Sequence, residues 1–215
     1  MNDQPLLTTV VVGPLQVNCY LLACPETRQA LVIDPGDEGA RILAAVRAND
    51  WQIASIVNTH GHFDHIGANR ALVAATGAPL LMHAADLPLL ERAQTHARIY
   101  GLETEGSPTP DRFLEDGDEV ACGTLRCRVI HLPGHSPGGI ALLCGGHLFV
   151  GDALFAGSVG RTDLPGGDHR QLIEGIRGKL WPLLGATVVH PGHGPDTTIA
   201  REMRGNPYAG VGVAI

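Results

Sequence analysis

Four times along the chain a short apolar run ends in a turn and then presents histidine or aspartate. ASIVN (54–58) runs into THGHFDH, LRCRVI (125–130) into HLPGH, LFV (148–150) into GD, and ATVV (186–189) into HPGH. Val, Ile and Leu bounded by Gly or Pro read as buried strands. A fold compatible with this pattern must bring four strand ends to one edge, where loops carry chemistry. Between these runs, hairpin-like stretches at 6–24 and 119–150 alternate with helical periodicity at about 38–49, 65–76 and 169–184. The strand–helix–strand pattern recurs loosely up to about residue 100, followed by a Gly-, Ser-, Thr- and Pro-rich segment at 106–111. Hairpins together with strand–helix–strand units imply mixed sheets with helices on their outer faces. The 101–118 segment reads as a connector or as a flap beside a site.

The ligand-type residues are densest at 60–65. His60 and His62 lie two apart in an extended stretch and so point to one side, while Asp64 and His65 follow where the chain turns into a helix. His135, Asp152 and His193 complete the set. Imidazole with carboxylate suits zinc, iron or manganese and is a poor donor set for calcium or magnesium. His83, His96, His131, His147, His169 and His190 lack a strand-end setting and read as surface or packed residues. His131 and His190 stand close enough to His135 and His193 for a supporting role.

Composition narrows the alternatives. With 44% apolar and 17% charged residues the 215-residue chain is no disordered segment, and it is long enough to bury a core without disulfides. Fifteen Lys and Arg against 22 Asp and Glu give −7, without a basic run, which argues against nucleic acid as a partner. Asp3 replaces the positive start of a secretory leader, and no apolar run reaches the length of a membrane span. A cytoplasmic protein is expected. Its five cysteines (Cys19, Cys24, Cys122, Cys127 and Cys144) then read as buried thiols rather than a disulfide framework, even if Cys122 and Cys127 face each other across a hairpin.

THGHFDH, His135 in PGHSPG, Asp152 in GD and His193 in PGHGP together resemble the metallo-β-lactamase superfamily, with motifs from residue 13 to 195. The resemblance implies one domain over residues 1–215, a four-layer αββα sandwich with the metals at one edge between the sheets. It assigns His60, His62 and His135 to a first metal, Asp64, His65 and His193 to a second, and Asp152 to a bridge between them. Asp34 in IDPG is expected to support the site without binding metal. GPLQVNCYLL, IDPGD, GDALFAG and EMRGNPY further resemble the hydroxyacylglutathione hydrolases (glyoxalase II) and their short relatives. That implies two divalent ions, zinc with iron or manganese as alternatives, and a small-molecule thioester substrate such as S-D-lactoylglutathione. A hydroxide shared by the ions would attack the carbonyl, with Asp64 and Asp152 as the catalytic carboxylates.

Few residues follow His193, so the helical C-terminal domain of the longer hydrolases is expected to be absent. Arg161 in GSVGRTD matches a basic residue of that group and is a candidate to grip a substrate carboxylate. A surface ion pair with Asp163 or Asp168 is the alternative. GRTD also resembles the persulfide dioxygenases of the superfamily, which use one iron and O₂. True metallo-β-lactamases lack the bridging aspartate. Outside enzymes, a non-catalytic metal-binding module is disfavoured, because structural zinc closes its shell with four ligands, often Cys-rich.

Overall fold

The computed structural model describes residues 4–214, so Asp3 lies outside the described residues. The first sheet contains β1 (Leu6–Val12), β2 (Val17–Ala23), β3 (Gln29–Ile33), β4 (Gln52–Val57), β5 (Leu80–Met82) and β6 (Arg112–Phe113), paired in that order. Its first three strands are antiparallel, and β3 to β6 run parallel. The second half of the chain supplies β7 (Glu119–Cys122), β8 (Leu125–His131), β9 (Ile140–Cys144) and β10 (His147–Gly151). A two-stranded hairpin follows, β11 (Leu154–Phe155) and β12 (Ser158–Val159), and then β13 (Val188–Pro191) and β14 (Thr197–Thr198). Apart from the hairpin these form a sheet ordered β14-β13-β10-β9-β8-β7, in which only the β10–β13 pair is parallel.

Central strands such as β2, β3 and β9 are apolar because both faces of the sheets are covered there. The outer strands β1 and β7 and the Arg-bearing β8 alternate buried with exposed residues. On β2, Tyr20 and Leu22 turn inward to Val129, Leu142 and Phe149 of the second sheet. Cys19 and Leu21 turn outward to α1 (Gly39–Ala48) and α3 (Asn69–Thr76) through Ile42, Val46 and Leu72. The outer face of the second sheet packs Ile130, Leu148 and Val189 against Leu172 and Ile199 of α5 (His169–Gly175) and α6 (Ile199–Gly205). Each fully buried Leu or Phe contributes about 1.5–3 kcal/mol. The layering is the expected αββα sandwich of two mixed sheets flanked by helices.

Three local expectations change. The helix placed at 65–76 is split into α2 (Phe63–Ile66) and α3, because the chain at Pro35-Gly36 wedges in beside it. Ala68 N–H donates to the Pro35 carbonyl at 2.9 Å, and a Cβ on Gly67 would stand 2.3 Å from the Gly36 oxygen. The helix placed at 169–184 ends at Leu180 after one wide turn, just ahead of Pro182, whose ring and missing N–H stop a helix. Before residue 100 no strand closes the third unit; α4 (Leu87–Ile99) fills that stretch, packed on Phe63, Ile66 and Met82 through Leu90, Ala93 and Ala97.

All five cysteines are buried and free. Cys122 pairs with Leu125 and Cys127 with Val120 across the β7–β8 hairpin, so those two thiols do not face each other. No helix among the described residues is long and apolar enough to cross a membrane.

Candidate metal centre

The ends of β4, β8, β10 and β13 meet at one edge of the sandwich, as their sequence pattern requires. Beyond β4, Thr59 leads into His60 and His62, and His62 stays extended (φ −69°, ψ 147°) before α2 begins. Asp64 and His65 sit on that single turn, His135 in the loop after β8, Asp152 just past β10 and His193 just past β13.

His60, His62 and His135 surround one point. Their ring centroids are 4.8, 4.9 and 4.7 Å apart and the ring planes lie 87°, 79° and 88° to one another. His62 Nδ1 and His135 Nε2 are 2.9 Å apart. Asp64, His65 and His193 form a second group, with the Asp64 carboxylate 3.7 Å from His65 Nε2 and 3.4 Å from His193 Nε2. Asp152 lies between the groups, 3.5 Å from His65, 3.6 Å from His193 and 3.8 Å from His135. The structure therefore brings all seven expected ligand residues together.

Buried polar atoms are nearly always partnered, because an unmet one carries its full desolvation cost. Here His60 Nε2, His65 Nε2 and Asp152 Oδ1 are buried without a hydrogen-bond partner. Nitrogen and oxygen donors left open and converging in two adjoining groups fit a pair of divalent ions.

The Nδ1 atoms of His65, His135 and His193 are each held by a hydrogen-bond partner. Asp34, buried, accepts from Thr59 N–H at 2.7 Å and from the Thr59 hydroxyl at 2.6 Å, and its Oδ2 lies 3.1 Å from His65 Nδ1. Although Asp34 falls within one His60–His65 group, these bonds use its oxygens, and it orients His65 with Nε2 facing the centre. His135 Nδ1 is held at 2.8 Å by the Arg161 carbonyl and His193 Nδ1 at 3.0 Å by the Leu15 carbonyl. Gly192 is needed for close approach: a Cβ there would stand 2.2 Å from Asp152 Oδ1.

Protonation differs across the centre. Burial, reinforced by His65 and His62, pushes His60 well below the usual imidazole range, and burial with the neighbouring His135 pushes His62 down to about 3. Burial opposes charge on His65 too, but Asp152, Asp64 and Asp34 raise it well above the ordinary value. His193 is raised against burial by Asp64 and Asp152. Burial would push Asp152 up, yet His65, His135 and His193 hold it far below the usual carboxylate range.

Other expected residues fall outside the two groups. The Arg161 guanidinium is paired with Asp163 at 2.7–2.8 Å, and both side chains are more than half exposed. His131 stacks on His83 at 4.1 Å, while His190 joins His147 and Asp196 away from the centre. His96 comes nearer than its setting suggests, 5.9 Å from the His62 ring. Residues 102–105 line a cavity of about 580 Å³ that also takes in Phe63 and Asp64, with none of the other six ligand residues on its wall. Sequence reasoning missed Thr59 and the two carbonyls; a hydroxyl beside His60 was a weak signal, and a carbonyl leaves none.

The family model of the metallo-beta-lactamase superfamily matches residues 12–193. The chain is 37% identical to the hydroxyacylglutathione hydrolase GloC of Haemophilus influenzae, over 93% of this chain and 95% of that protein. Among solved structures, TTHA1623 in a di-iron-bound form superposes with a TM-score of 0.87 at 45% identity, covering 94% of this chain and 99% of that one. The B3 metallo-beta-lactamase BLEG-1 superposes at 0.89 with 35% identity, covering 95% and 99%.

Proposed function

The chain belongs to the metallo-beta-lactamase superfamily as a metal-dependent hydrolase, and on that premise we propose that it cleaves a thioester such as S-D-lactoylglutathione. The observation that carries this reading is the placement of Asp152 between two ligand groups. Two divalent ions bound there would supply Lewis acidity toward a carbonyl oxygen and lower the pKa of water toward about 7. The chain's own groups set the stage for that chemistry. Asp152 stays ionised among three imidazoles, and His60 and His62 stay neutral with lone pairs to donate. Asp64, 16% exposed, and His193, 28% exposed, form the side of the centre open to substrate.

No further acid stands among the two ligand groups, which suits a thiolate leaving group because it departs with little protonation. The relative named for hydroxyacylglutathione hydrolysis supports the same chemistry. Zinc is redox-inert, so zinc-loaded protein is expected to cleave S-lactoylglutathione without oxygen at its aerobic rate. A β-lactam and glutathione persulfide serve as parallel substrates. Steady oxygen uptake by iron-loaded protein with the persulfide, or β-lactam turnover, with no thioester cleavage by any metal form, would overturn the proposal.

A further inference from the structure

Asp86 belongs to neither ligand group, yet it is completely buried and its carboxylate is spent on the loops that carry them. Oδ2 accepts from Gly61 N–H at 2.8 Å, in the peptide between His60 and His62. The same oxygen accepts from the Ser136 hydroxyl at 2.8 Å, and Oδ1 accepts from Gly138 N–H at 2.5 Å, both in the His135 loop. One carboxylate thus ties together two segments far apart in the chain, and they are the two segments that supply the three-histidine group.

The local setting points the same way. Asp86 occupies the N-cap position of α4, where an aspartate ordinarily accepts from its own helix. Its side chain makes no such bond. The neighbouring backbones are built to approach it: a Cβ on Gly61 would stand 3.2 Å from Asp86 Cβ, and one on Gly138 would stand 2.8 Å from Asp86 Cγ. A second clamp joins the same turn to the same loop. His83, three residues before Asp86, stacks on His131, whose Nε2 lies 3.0 Å from the Pro137 carbonyl.

We infer that Asp86 is a positioning residue for the His60–His62–His135 site, holding the two loops in the register at which three imidazoles meet. Asp34, by contrast, reaches both sites: its Oδ2 lies 3.1 Å from His65 Nδ1, and the Thr59 hydroxyl that donates to it lies 3.1 Å from His60 Nδ1. This assignment of Asp86 to one site rests on the two-metal reading of the centre.

The test is a zinc titration against a chromophoric chelator, resolving two stepwise affinities for the wild type, Asp86→Asn, Asp34→Asn and Ser136→Ala. An asparagine has one acceptor oxygen for three donors, and its amide N–H₂ would face an N–H or O–H. In Asp86→Asn one of the two affinities should fall by roughly 10–100-fold while the other is kept. Anomalous diffraction at the zinc edge should then find the remaining ion between Asp64, His65 and His193. Asp34→Asn should instead lower both affinities, because Asp34 reaches His65 directly and His60 through the Thr59 hydroxyl. Ser136→Ala removes one hydrogen bond and should weaken the three-histidine site about two- to tenfold. If Asp86→Asn does not fold, Ser136→Ala decides alone. Wild-type affinities at the three-histidine site in a folded Asp86→Asn, or in Ser136→Ala when Asp86→Asn does not fold, would overturn the inference. A wild-type protein that binds fewer than two ions would instead overturn the two-metal reading beneath it.

Discussion

The three-histidine group and the Asp64–His65–His193 group adjoin, with the His60 and His65 rings only 4.1 Å apart, but protons meet them differently. In the first, burial and the neighbouring imidazoles drive His60 and His62 toward the neutral form. In the second, three carboxylates surround His65, and two of them, Asp64 and Asp152, also reach His193, so both imidazoles hold a proton more tightly. Histidine at both sites therefore does not mean equivalent ligands. His60 and His62 offer lone pairs with little competition from protons; the second group offers more negative charge, but His65 and His193 must release protons to bind a metal.

Removing the group common to both should have the largest effect. Asp152→Ala should deplete both ions and lower thioester hydrolysis by more than the roughly 10–100-fold typical of losing an outer partner. Metal content by elemental analysis checks it, and full occupancy at both sites would contradict a bridge.

A pH series separates the two groups less drastically. His65 and His193 bind protons above the usual histidine value of about 6.5, so acidification through that range sets protons against metal at their site. His60 and His62 lie below it, and protons compete there only at lower pH. Between about pH 8 and about pH 6, affinity at the second site should fall first. Simultaneous loss of both ions would show that the charge difference does not govern binding.

The smallest effect is expected from Arg161. Its guanidinium is exposed and paired with Asp163, and a solvent-screened pair of that kind contributes little. Arg161→Ala should leave metal content unchanged, because His135 leans on the residue's carbonyl rather than its side chain. Its kcat/KM should change by less than about fivefold. A rise in KM of tenfold or more at constant kcat would instead return Arg161 to the role of substrate clamp.

What the sequence determined by itself was written in residue type and period. Apolar runs ending in Gly or Pro turns placed the strand ends, and the His and Asp residues after them identified every member of the two groups. Mixed strand patterns with amphipathic helices implied the layered sandwich. Tertiary structure decided what joins segments distant in the chain. The wedge of Gly36 against Gly67 divides a helix whose periodicity runs on unbroken. The Arg161 and Leu15 carbonyls orient His135 and His193, and Asp86 forgoes its own helix to tie two loops. None of these is legible locally, because every residue carries a carbonyl and nearly every one an N–H, and an aspartate at a helix start looks like a cap. Which donor meets which acceptor is set by the packing of the two sheets.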